Sequence, residues 1–500
     1  MAPTAEVGGA ISIVSICAAT AILYVVGTIV YRLYFHPLAK FPGPIHWRIS
    51  NIPMVYHIFK GDIPFRVAKI HYKYGKSIRI SPTEVLFSDP QAFKEIYGHR
   101  PPGTEELSKD KDLYNLLPDR PTTIIDAPRD EHGSLRRQLS HGFSDKTMRE
   151  QEPIINEYID LLIQRLHENC GRGPLDLREW FNWTTFDIIG DLGFGSSFGC
   201  LEGSSYHPWV ALVIKSLKES AYFQALVRLG FRPLVNFLYR GGYMTKNSEY
   251  LELVSNKLQE RIKLGVERPD LIEGLIKSRE KLNLNLGQMV GNASLLIIAG
   301  SETTATLLSG AAFLLTTNRH CLEKLTEEVR STFKSEDEIT LTSVGNLHYM
   351  LACLNEAFRC YPPVPGDLTR TVPKGGTTIC GEYVAEGTTV AVWQWAINHN
   401  PLYWTDPMVY APERWMGDPK YEGDRLDAVQ PFSVGPRNCL GRNLAYSEMR
   451  LILARVIYNF DMVLADDPVN QRWLEDQKVY VIWEKPPLKV HLAPVVKKSG

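Results

Sequence analysis

The segment Phe432-Ser433-Val434-Gly435-Pro436-Arg437-Asn438-Cys439-Leu440-Gly441 sets a lone cysteine in a glycine-punctuated loop that runs into a helical pattern. From Leu440 onward apolar residues recur at Leu444, Ala445, Met449, Ile452, Val456 and Phe460, the spacing of a buried helix face. The pattern predicts Cys439 at a helix N-terminus, where outward N–H groups and the helix dipole favour a thiolate. A thiolate suits axial ligation of an oxygen-activating haem, because electron density pushed through iron helps to cleave the O–O bond. A flat macrocycle must lie close to the backbone that carries its ligand, and Gly435 and Gly441 give that clearance. Arg437 is near enough to reach a haem propionate, and Phe432 can pack beside the sulfur and limit water. A single cysteine in a large chain is ordinarily a structural thiol; the fixed offsets around this one turn the reading toward ligation.

A second group of residues fits the oxygen side. Ala299-Gly300-Ser301-Glu302-Thr303-Thr304 interrupts an apolar helical stretch from Ala293 to Ala312, where an acid is costly. Polar residues on a solvated helix edge would be the bland explanation. In the functional reading Gly300 permits a local opening of the helix, Thr303 holds water and hydrogen-bonds bound oxygen, and Glu302 feeds protons toward it.

The cysteine loop resembles the signature of the cytochrome P450 family, Phe-x-x-Gly-x-Arg-x-Cys-x-Gly, with every specified position filled. The oxygen-side hexapeptide is similar to that family's Ala-Gly-x-Glu/Asp-Thr-Thr motif, which members that only rearrange peroxides often lack. The resemblance extends from about Phe41 to the C-terminus and implies haem b with Cys439 as the axial ligand to iron. It further implies a buried structural triad of Glu356, Arg359 and Arg414, taken from Glu356-Ala357-Phe358-Arg359 and Pro412-Glu413-Arg414-Trp415. Alone, the Glu356/Arg359 spacing would mean little, since such helix pairs are common and weak. Trp415 stands where many members have Phe. His132 and Arg136 match the family's propionate helix, and Arg370 the place of another propionate arginine. Arg136, Arg137 and Arg442 would help draw an acidic reductase to the cysteine side. The substrate pocket is implied around Ile298, Ala299, Val364, Pro365, residues 118–125 and residues 217–237.

These groups need elements to hold them. Most of the chain from about Asp145 to Tyr361 has helical periodicity, whereas Ser77–Ser81 and Glu84–Ser88 flank Pro82 as a hairpin, and Thr388–Val392 and Leu488–Leu492 read as strands. The expected class is mainly α with small β-sheets, and the resemblance makes it the P450 fold. Five hundred residues with 44% hydrophobic content fill a sizeable core, and no linker or repeat divides them after the N-terminal region. The formal net charge of −1 gives no footprint for nucleic acid. Eight scattered cysteines without a C-x-x-C pair suggest a reduced compartment.

The N-terminus differs in kind. No residue from Val7 to Tyr31 is charged, and Ile11 to Val30 is mostly Ile, Val, Ala and Leu, enough for one membrane-spanning helix. Met1 to Gly9 carries Glu6 and no Lys or Arg, unlike a cleaved signal peptide. Arg32 and Lys40 follow the span, so the positive-inside tendency puts the body in the cytosol. The run from Tyr34 to Pro44, ending in the stiff Phe41-Pro42-Gly43-Pro44 elbow, resembles the junction in microsomal P450s of filamentous fungi. The expected organisation is an anchor and junction over 1–40 and a haem-thiolate domain over 41–500, single-pass in the endoplasmic reticulum membrane.

The resemblance implies a monooxygenase that inserts one oxygen atom from O₂, by hydroxylation or epoxidation, into an apolar small molecule of fungal secondary metabolism. Electrons would come from NADPH, only indirectly, through NADPH-cytochrome P450 reductase, with cytochrome b5 as a further donor. The same motifs also accommodate desaturation, oxidative coupling or ring rearrangement. A non-enzymatic haem sensor would keep Cys439 but has little need of Glu302 and Thr303.

Overall fold

A computed structural model describes residues 4–101, 103–115, 120–205, 208–241, 247–265, 267–366 and 368–496. The N-terminal helix α1 (Thr4–Val30) continues into a π-helical turn, Tyr31–Phe35. Over Ser15–Phe35 its mean hydropathy is 1.8 and none of it is buried against the body, as a membrane-spanning segment requires. The chain then joins the body without slack. Leu38, Phe41 and Trp47 are buried, and three arginines tie the junction down. Arg32 donates to the Ile49 carbonyl at 2.6 Å, Arg48 to the carbonyls of Leu33 and Ala39, and Arg79 to the carbonyl of Arg32 at 2.7 Å. The expected elbow packs on the sheet, where a Cβ on Gly43 would lie 2.2 Å from the Arg79 carbonyl.

The larger sheet has five strands: β1 (Ser77–Ser81), β2 (Glu84–Phe87), β3 (Ser108–Lys109), β4 (Arg370–Thr371) and β5 (Thr389–Val392), in spatial order β1-β2-β5-β4-β3. The hairpin at Pro82 forms as the alternation predicts. β2 is buried along its length and pairs in parallel with β5, so its apolar residues have no solvent face to avoid. A late hairpin, β6 (Lys478–Tyr480) with β7 (Ile482–Glu484), and a strand over Lys489–Pro494 complete the minor β regions used below.

The helices that carry the site are α2 (Pro90–Tyr97), α3 (Arg129–Leu139), α4 (Leu177–Phe194), α5 (Pro208–Arg228), α6 (Leu286–Thr317), α7 (His348–Cys360) and α8 (Arg442–Asn459). α6 is capped by a reciprocal Asn285/Gln288 box, which satisfies two end groups at once. It runs through the core and packs along α4. Sequence reading differs from the structure in two local ways. α6 is unbroken at Gly300, with no opening. A Cβ there would sit 2.6 Å from Ile189 Cδ1 on α4, so this glycine serves close helix packing. Phe460, placed by periodicity on the helix, begins a strand instead, Phe460–Leu464.

Candidate active site

A cavity of about 240 Å³ lies inside the body, between α3, α6 and the loop that leads into α8. It gathers His132, Arg136, Thr303, Phe432, Arg437, Cys439 and Gly441 from three separate stretches of chain. Of the other residues singled out in the sequence, Glu302, Arg370, Gly435 and the triad stand outside its wall.

Cys439 lies three residues ahead of α8, which starts at Arg442. Its amide donates to the Phe432 carbonyl at 2.8 Å, closing the loop. The sulfur is open to the cavity, but the cavity is internal, and burial raises the thiol pKa against the opposing pull of the Gly441 N–H and the Arg136 and Arg442 charges. The helix terminus and the two arginines thus favour the thiolate, as the sequence suggests, while burial opposes it. A cation at the sulfur is what reverses that balance, since a coordinated thiol is deprotonated outright. Phe432 packs at 5.2 Å from Phe358 and 5.3 Å from Tyr446, a dry wall beside the sulfur.

The glycines act differently from one another. Gly435 adopts φ +79°, and a Cβ would fall 2.1 Å from the Tyr97 carbonyl at the end of α2. Its clearance is therefore against backbone from another element. Gly441 meets only Phe143, at 3.6 Å.

One side of the cavity carries unbalanced positive charge. Arg437 donates to the Ala127 carbonyl at 2.9 Å and pairs with Glu106 at 2.8 Å, while its Nε is buried without a partner among the described residues. Arg136 donates to the backbone and side-chain oxygens of Asn438, at 2.7 and 2.5 Å, and so braces the ligand loop. Lys109, which sequence reading missed, also lines the cavity, its pKa held well below the lysine range by burial and by Arg370 and Arg437. Burial, with Arg437 and Arg136 beside it, lowers His132 to about 4, so the ring is neutral at pH 7. An anion is the missing complement. A haem, with two propionates on one edge and iron for the sulfur, fits this set of donors. Arg370 stands behind that wall, stacked 5.0 Å over Tyr97 and donating to the Leu368 and Thr369 carbonyls. It acts on Lys109 through space and does not line the cavity.

On α6 the Thr303 hydroxyl faces the cavity and donates to the Ala299 carbonyl at 2.5 Å. Glu302, one residue earlier, turns away and pairs with Lys485 at 2.8 Å, both side chains almost fully buried. Among the expected pocket residues, Ala299, Ile124 and Ile125 line the cavity. Ile298, Val364, Pro365 and residues 217–237 do not, Ile298 because one helical step rotates it onto the core. Residues 118 and 119 lie outside the described residues.

The triad is assembled and dry. Arg359 forks onto Glu356 at 2.9 and 2.7 Å, and Arg414 reaches the same carboxylate at 3.1 Å, with all three side chains fully buried. Asp424, absent from the sequence reading, pairs with Arg414 and balances the second cation. Of the three arginines expected at a reductase face, Arg137 and Arg442 are exposed, whereas Arg136 is occupied by Asn438.

Lys109 and Lys485 left little trace in the sequence, the first in the mixed-charge run Ser108-Lys109-Asp110-Lys111-Asp112, which reads as solvated loop. Glu448 could have been found. It shares the apolar face of Leu444 and Ile452, lines the cavity, and burial raises its pKa to about 8.

The model of the family Cytochrome P450 matches residues 41–492. The chain is 48% identical, over 96% of each chain, to the cytochrome P450 monooxygenase tpeC of Talaromyces stipitatus. It is 42% identical to the trichothecene C-15 hydroxylase of Fusarium sporotrichioides, over 96% of this chain and 98% of the other. It is also 42% identical to the averantin hydroxylase of Dothistroma septosporum, over 96% and 91%.

Proposed function

The chain belongs to the cytochrome P450 family, and on that premise we propose that it hydroxylates or epoxidises an apolar small molecule of fungal secondary metabolism. Electrons come from NADPH through a membrane-bound reductase. The observation that carries this reading is a single cavity in which a sulfur, a cationic rim and the α6 hydroxyl of Thr303 converge. When bound, the haem supplies the oxygen chemistry. Cys439 would hold the iron by its sulfur, in a loop fixed by the hydrogen bond from its N–H to the Phe432 carbonyl and by the Arg136 brace on Asn438. Lys109 and Arg437 would balance the charge of the propionate edge, and neutral His132 would orient it by a hydrogen bond. Phe432, Ile124 and Ile125 keep water away from the sulfur and the substrate face. Thr303 holds a proton donor at its Oγ1, and Glu302 replenishes it from the far side of α6.

Two of its relatives are named as hydroxylases, which favours hydroxylation over epoxidation. The domain over 41–500 would sit on the cytosolic face of the endoplasmic reticulum, anchored by residues 1–40. Comparing metabolites of cells carrying the native chain or Cys439→Ala, under ¹⁸O₂, tests the proposal. A product carrying one labelled oxygen, absent with Cys439→Ala, supports it. A product lighter by two hydrogens and unlabelled points to desaturation or coupling.

A further inference from the structure

The acid beside the cavity is not free. Glu302 Oε2 is held by Lys485 Nζ at 2.8 Å, and the same ammonium donates to Thr306 Oγ1 at 2.6 Å, one helical turn along α6. Glu302 Oε1 is buried with no hydrogen-bond partner among the described residues. The carboxylate is thus held by one of its oxygens, by a cation that follows β7. Arg178, the other cation at this edge, is taken by Asp176 at 2.9 Å and Glu179 at 3.2 Å, and it donates to the Lys485 carbonyl at 3.1 Å. Lys485 is therefore positioned by its backbone as well as by its charge.

Its neighbour in sequence points elsewhere. Glu484, the last residue of β7, pairs with Lys218 of α5 at 2.7 Å. Lys218 also sits 4.6 Å over the Tyr480 ring of β6, against which Tyr222 of α5 packs edge-on at 5.6 Å. Adjacent residues of one short hairpin thus grip α5 on one side and Glu302 on the other.

The geometry points to Lys485 as a positioning residue that holds Glu302 outside the cavity, with the β6–β7 hairpin tying release of the acid to the position of α5. This rests on the monooxygenase reading above. While Lys485 holds the carboxylate, Thr303 has no acid behind it. When the hairpin shifts with α5, Glu302 leaves the ammonium, takes a proton from solvent and passes it to Thr303 Oγ1 as that hydroxyl gives its own proton into the cavity, which returns Glu302 to the carboxylate. The device times proton supply to the position of α5, so reducing equivalents are not lost as hydrogen peroxide.

The test uses the full-length, haem-loaded protein with Lys485→Met, which keeps the stem and removes the charge, and with Lys485→Arg. A buried carboxylate deprived of its one cationic partner among the described residues takes up a proton. The ferric Lys485→Met protein is expected to show a carboxylic acid C=O stretch in the infrared that vanishes in Glu302→Gln/Lys485→Met. It is also expected to release severalfold more hydrogen peroxide per NADPH consumed. Lys485→Arg returns both to native values. If Lys485→Met does not accumulate as folded protein, Thr306→Val loosens the same ammonium and moves peroxide release in the same direction by less. No acid band, or peroxide release equal to native, overturns the proposal. Failure of the underlying reading is separate: it appears as no oxygenated product from the native chain, whatever the infrared spectrum shows.

Discussion

The indole N–H of Trp415 donates to Glu356 Oε2 at 3.0 Å, which makes the tryptophan a working member of the buried triad. Glu356 also accepts from the Ala411 amide at 3.0 Å, so one carboxylate serves two guanidinium groups, an amide and an indole. A phenylalanine at 415 fills similar space and brings no donor.

Trp415→Phe is therefore expected to cost about 1–3 kcal/mol, the cost of leaving a buried acceptor short of a bond, with haem content kept. Glu356→Gln strands two buried cations and is expected to cost about 3–5 kcal/mol. Thermal unfolding of the two purified proteins ranks them; equal losses would mean that the indole bond carries as much as the ion pairs.

Gly435→Ala and Gly441→Ala should separate widely. At Gly435 a side chain meets both φ +79° and the Tyr97 carbonyl at 2.1 Å, strain of about 1–3 kcal/mol from the backbone alone. At Gly441, with φ −84°, it meets only ordinary contact. The ratio of bound haem to protein after purification is expected to fall for the first and hold for the second.

Lys109→Met is expected to weaken haem retention more than Arg370→Met, because Lys109 lines the cavity and Arg370 stands behind it. Haem transfer to apomyoglobin, followed by absorbance, gives the two rates. A faster loss from Arg370→Met would place the propionates nearer β4.

Stability should fall on the acid side. Burial, then the Arg359 charge, lowers His399 from 6.5 to about 3, and burial lowers His71 from 6.5 to about 4. Both rings are neutral when folded and take up protons when unfolded, so stability is full above pH 6.5 and is lost as pH falls below it. Denaturant midpoints at pH 7.5, 6 and 5 should decline, and His399→Gln should flatten the decline.

What could be read beforehand was whatever is local in sequence. The cysteine loop, the α6 hexapeptide and the Glu356/Arg359 pair keep their chemistry within a few residues, and the alternation around Pro82 is a hairpin signal in itself. Lys485 could not be assigned, because its meaning comes from Glu302, 183 positions away, and neither residue announces the other. Arg136 gains a partner for the same reason: helix spacing carries it to the cavity wall, but only the fold brings Asn438 within reach of its guanidinium. Gly435 and Gly300 show a further limit, since a Cβ would meet the Tyr97 carbonyl at the first and Ile189 at the second. A glycine marks close approach, and the sequence does not say whether to a cofactor, a carbonyl or a neighbouring helix.

The arginine-stapled junction between α1 and the sheet has a mechanical meaning. With Arg32, Arg48 and Arg79 each clasping carbonyls across it, this stretch is a bracket and not a tether. With α1 lodged in a bilayer, the body would ride at a set tilt instead of swivelling, and the same face would always be turned to the lipid. A molecule dissolved in the membrane and an electron donor diffusing along it would then each meet the protein from a constant direction.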